Sequence, residues 1–219
     1  MGHRIYDLIM VLNAFGKNGE TLYLFPEPKL LNMKKWIVGS LAGAIIVFAW
    51  QAASWMFLGI HDNAMKYTPA QDQIMNVLSS SNLDEANYSL PNAPTKKEQM
   101  DMMKTMNGKP WASIIYHKSM NTDMAMPLIR CFLVDFFLVI SLLYLLTRGG
   151  TPIARKAFSG AVALGLFSWL WTFYMGHIFF ALPMSMILPD LLDSIVAWGL
   201  CGLWIGWWLN RKITPPAAA

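Results

Sequence analysis

The chain has 219 residues, 55% of them hydrophobic and only 14% charged, against about 25% charged residues in an ordinary soluble domain. Its net charge of +4 lies beside apolar runs, not in a basic, aromatic-interleaved patch, so it excludes a nucleic-acid footprint. The two cysteines, Cys131 and Cys201, both fall inside apolar runs; that excludes a disulfide framework and makes them small core residues.

In chain order, Ile5, Leu8, Ile9, Leu12 and Phe15 follow helical spacing. They predict a short amphipathic helix on the inner membrane surface. Gly16, Gly19, Pro26 and Pro28 then break the pattern. Met33-Lys34-Lys35-Trp36 reads equally well as a translation start. On that reading residues 1–32 are an over-extended gene start, and both readings stay open. The apolar run that follows is too long for a cleaved signal peptide, whose core is about 7–15 residues.

Four apolar runs come next, at about 36–59, 127–147, 157–181 and 190–209. Each has the roughly 20 residues that a helix needs to cross a hydrocarbon core of about 30 Å. The expected fold is an all-α membrane protein, a four-helix bundle of transmembrane helices, with a small, mostly helical extracytoplasmic insert at 60–126. Lys29, Lys34 and Lys35 precede the first run, Arg148, Arg155 and Lys156 lie between the second and third, and Arg211 and Lys212 follow the fourth. The 182–189 link has no basic residue. Basic flanks mark the cytoplasmic side, so both termini are expected inside. Trp36, Trp207 and Trp208 sit at span ends as interface anchors, and the deeper Trp50 and Trp198 pack between helices.

Within the insert, Thr68-Pro69-Ala70-Gln71 and Thr95-Lys96-Lys97-Glu98 are capping boxes. They predict helices that run to about Ser79 and to a stop near Gly108. Asn87 to Pro94 is extended, and Trp111 to His117 is an aromatic, β-branched strand or extended segment. The expected product is a compact, mostly helical cap. Met102, Met103 and Met106 share one face of the second helix, with Met184 in the other outward link. Clustered thioethers either form an adaptable packing surface or bind a soft metal such as Cu(I).

Ionisable and polar residues in the spans gather in one half: Gln51, His61, Arg130, Asp135, His177, Asp190 and Asp193. At about 1.5 Å per residue, Asp135 lies about 12 Å and Gln51 about 13 Å below the outer span ends. Gln51, Ser54, Leu58, His61 and Asp62 recur at helical spacing. Polar groups in lipid are paired or functional. Two uses stay open: an internal lock in which Asp135 pairs with Arg130 and His177 bonds Asp193, or a ligand or metal pocket of His177, Asp193, Asp135 and His61. The inner halves carry no ionisable group, which argues against a self-contained pump. Enzyme motifs (GxSxG, HExxH, a phosphate loop, CxxC) are missing from the sequence, and no catalytic residue or cofactor is expected. Gly39-x3-Gly43 and Gly202-x3-Gly206 allow close helix approach, most simply inside the bundle.

The Met33-Lys-Lys-Trp start, the Trp50-Gln51 pair, the stretch Trp111 to Met120 and the closing Asp193-Ser-Ile-Val-Ala-Trp198-Gly-Leu resemble uncharacterised bacterial four-span integral membrane proteins of unknown function. The resemblance covers about residues 33–210. It implies a bacterial inner membrane and no known activity. The expected function is that of a non-enzymatic accessory or scaffold subunit, with lipid and either a larger membrane complex or a homo-oligomer as partners. The alternative is a small binding or transport protein with an outward-facing polar or soft-metal pocket.

Overall fold

The structure is a computed structural model that describes residues 33–211. The expected N-terminal amphipathic helix lies outside the described residues. The chain forms two units: residues 33–65 with 125–211, and Lys66–Met124.

The first unit has four helical spans long and apolar enough to cross a membrane, and the protein reads as an integral membrane protein. They are α1 (Met33–Met56), α4 (Ala125–Thr147), a composite third span and α7 (Met184–Asn210). The third span runs from α5 (Ala154–Trp169) through a π-helical turn, Leu170–Tyr174, into α6 (Met175–Phe180). Ala181, at φ 49°, ends it in the left-handed conformation. The link to α7 is therefore much shorter than the expected 182–189. Pro183 adopts an extended conformation at the N-cap, and Pro189 lies within α7. There Pro189 removes one backbone donor without ending the helix.

The helices pack through small residues. α7 lies between α5 and α1, α1 also packs on α4, and α4 barely meets α5. A methyl group at Gly202 would lie 2.7 Å from Ala161 Cβ and 2.9 Å from the Ala157 carbonyl; at Gly206 it would lie 2.7 Å from Ala154 Cα. The α5–α7 seam thus brings backbone against backbone. On α1, Gly43 leaves room for Val139 and Cys201, and Gly39 for Trp208. Both glycine pairs are used inside the bundle, as expected. The core joins Ala44 and Val47, Val139, Leu142 and Leu143, Ala161, and Ala197, Cys201, Ile205 and Leu209. Trp204 and Trp208 donate indole N–H bonds to the Gly39 and Lys35 carbonyls, at 3.0 and 2.9 Å. Trp208 is therefore a bridge between helices as well as a residue at a span end. Away from the seams, Ile37, Ile45, Leu133, Phe137, Phe167 and Leu203 are exposed. Such surfaces suit lipid, where side chains need not be hidden from water.

The second unit contains α2 (Gln71–Ser80), β1 (Ala86–Leu90), α3 (Lys96–Thr105) and β2 (Ala112–Tyr116). The strands pair antiparallel, from Ala86 opposite Tyr116 to Leu90 opposite Ala112. The two extended segments thus find each other across α3, and the insert is mixed, not simply helical. Thr95 caps α3 as its capping box predicts, accepting from the Glu98 N–H at 3.3 Å. The first box does not form: Thr68 Oγ1 accepts from Ala70 instead, and α2 starts at Gln71. Tyr116 is the single buried side chain of this unit, so the expected compact core is not there.

Candidate functional site: a carboxylate between two spans

One side chain collects most of the polar groups. Asp193 lies on α7 and faces α1. Its Oδ1 accepts from Trp50 Nε1 at 3.0 Å and from Ser54 Oγ at 2.6 Å. Its Oδ2 lies 3.0 Å from His61 Nε2. Trp50 and Ser54 are four residues apart (54 minus 50), so one helix face presents both.

His61 reaches the site by a different route. α1 stops at Met56, and Gly59, at φ 62°, begins a tight reversal. The Asp62 N–H donates to the Gly59 carbonyl, and the Ala64 N–H to the His61 carbonyl. The turn folds the imidazole back onto Trp55, with centroids 3.9 Å apart and planes 11° from parallel. His61 is 8% exposed, and its Nδ1 is shielded without a partner.

Asp135 occupies a separate position on α4, on another flank of α1. It is 3% exposed. Gln51 Nε2 faces its Oδ1 at 3.4 Å, and Cys131 Sγ faces Gln51 Oε1 at 3.4 Å. The amide contact is long against the usual 2.7–3.2 Å for N–H···O. Asp135 Oδ2 is buried with no partner.

The structure therefore corrects the expected pairings. Arg130 is exposed and, among the described residues, forms no ion pair with Asp135. The two are five residues apart, about 140° around a helix of 3.6 residues per turn. His177 does not bond Asp193. Its Nδ1 lies 2.7 Å from the Leu182 carbonyl, where it fastens the turn after α6. The supposed single face of α1 divides, Gln51 turning to α4 and Ser54 to α7, while Leu58 and Asp62 lie beyond the helix end and are exposed. Asp190 is half-buried, about one helical turn before Asp193 on α7.

Among the described residues, no three His, Cys, Asp or Glu side chains converge to hold a metal ion, so His177, Asp193, Asp135 and His61 do not form the alternative metal pocket. Met102 and Met106 are partly buried and Met103 is exposed, all in the second unit around α3. The sequence reading treated Trp50 as packing alone and overlooked the Trp55 stack. The aromatic pair beside Gln51 and Ser54 was the available signal, since a buried indole N–H needs an acceptor.

Compared with family models, curated proteins and solved structures, the chain matches none of them.

Proposed function

We propose that this protein is a non-enzymatic accessory or scaffold subunit of a membrane complex. The observation that supports this most is the engagement of Asp193. Its two oxygens take three partners, from Trp50, Ser54 and His61, out of about four acceptor places. A carboxylate so occupied fastens α7 to α1. The exposed apolar surface of the spans offers area for neighbouring helices as well as for lipid. Mild solubilisation followed by identification of co-purifying proteins tests the proposal. A larger complex at fixed stoichiometry is expected, and recovery of the chain alone, monomeric, would overturn it.

The second reading is a small binding or transport protein. It draws on Asp135 Oδ2 and His61 Nδ1, two buried polar atoms without partners. Copper or zinc retained near one equivalent after purification, and lost on His61→Ala, would favour it.

The proposed setting is a bacterial inner membrane, with both termini cytoplasmic and residues 60–126 periplasmic or extracellular, on the strength of the basic flanks. A cysteine introduced at Ser80, with Cys131 and Cys201 replaced by alanine, should react with an impermeant maleimide in intact cells. One at Thr151 should not. Labelling at Thr151 alone would reverse the orientation.

A further inference from the structure

We propose that Asp135 is the seat of one exchangeable monovalent cation, a proton or an alkali ion, held between its carboxylate and the Gln51 amide oxygen. The geometry leaves a positive charge missing. Asp135 is 3% exposed, and one of its oxygens has no partner at all. An ionised carboxylate inside a membrane bundle carries a large desolvation cost unless a cation or several donors compensate it.

Among the described residues, no neighbour supplies that charge. α1 brings Gln51, a neutral amide, at 3.4 Å. α4 brings Cys131, which faces Gln51, and α7 brings the buried Cys201 into the core beside Val139 and Gly43; both are thiols. Asp193 and His61 are engaged with each other. Arg155 and Lys156 lie in the first turn of α5, at the far end of the bundle from Asp135. Arg130 points elsewhere, as described above. The positive charge therefore has to enter from the aqueous phase.

Gln51 makes such a site adjustable. An amide can turn over, exchanging its oxygen and nitrogen. As drawn, Nε2 faces Asp135 and Oε1 faces the Cys131 thiol, a weak donor. Turned over, Oε1 faces Asp135. It then accepts the bond from a protonated carboxyl group, or joins the carboxylate oxygens around an alkali ion, a hard cation that prefers oxygen. A proton and an alkali ion thus use the same two residues and the same rotation.

The test uses the full chain, purified and reconstituted in nanodiscs, with infrared difference spectroscopy and thermal melting side by side. If the cation is a proton, a carboxylic-acid stretching band appears as pH is lowered, the melting temperature falls as pH rises, and sodium, potassium and choline behave alike. If it is an alkali ion, the melting temperature rises with sodium or potassium over choline at constant pH, without that band. Asp135→Asn should abolish whichever response is seen. Should that variant fail to accumulate, Gln51→Met serves instead, and should move the midpoint by about tenfold in cation concentration, or about one pH unit. Melting that is indifferent to pH and to all three cations, with no carboxylic-acid band, overturns the proposal. So does either response persisting unchanged in Asp135→Asn or Gln51→Met.

Discussion

Asp193 holds three donors from a single neighbouring stretch of chain, and its loss should be felt at once. A hydrogen bond to a charged group contributes about 1.5–3 kcal/mol, and stranding its partner costs a similar amount again. Asp193→Leu is expected to lower stability by about 3–5 kcal/mol, since Trp50, Ser54 and His61 all lose their acceptor. Asp193→Asn keeps one acceptor oxygen and should fall between Leu and wild type, while Ser54→Ala should cost about 1–2 kcal/mol. Thermal melting in detergent ranks the three, and an unchanged midpoint for Asp193→Leu would remove the fastening role. These pairings were not legible in the sequence. Ser54 and His61 stand 139 and 132 residues from Asp193, and no local periodicity carries that distance. His177 misled for the opposite reason: its partner is a backbone carbonyl five residues away, which no side-chain pattern announces.

The helices were legible because a crossing helix is a long local signal, about twenty apolar residues in succession. Their ends were less so. Proline marked a boundary at 189 that the helix passes through, and the helical phase of α1 was extended to His61 although a turn at Gly59 intervenes. That extension put His61 and Asp62 on the face of α1, whereas Gln51 and Ser54 part within the helix because one turns to α4 and the other to α7. Two substitutions probe the elements directly. Gly202→Val would force a branched side chain into a seam that already leaves a methyl group 2.7 Å from Ala161, and should destabilise by about 3 kcal/mol or more, as overpacking does. Ala181 sits at φ 49°, a conformation costing an L-residue about 1–2 kcal/mol. Ala181→Gly should therefore raise stability by up to about 1 kcal/mol, the remainder being lost to glycine's greater freedom when unfolded. A melting temperature that falls instead would show that the alanine methyl group makes compensating contacts.

At the scale of the whole molecule the two units differ in kind. The spans share a continuous core, whereas Lys66–Met124 has a five-residue strand pair and one buried side chain. Regions with few buried contacts open locally at low cost. Trypsin in detergent should therefore cut first at Lys96, Lys97 or Lys104 and leave the spans intact; first cleavage at Arg155 or Lys156 would contradict this. The extended segments were visible in the sequence, but their pairing across α3 was not, because it depends on a return of the chain that local pattern does not encode. The central place of α7, between α5 and α1, has a consequence for biogenesis. It is synthesised after the other three described spans, yet it supplies the acceptor for Trp50, Ser54 and His61 and the glycine seam for α5. Until it arrives, Trp50 and Ser54 sit in the bilayer without their acceptor. A chain stopped after Leu182 should therefore insert its first three described spans and still be recognised by membrane quality control as unfinished, so its lifetime in cells would report on the arrival of α7.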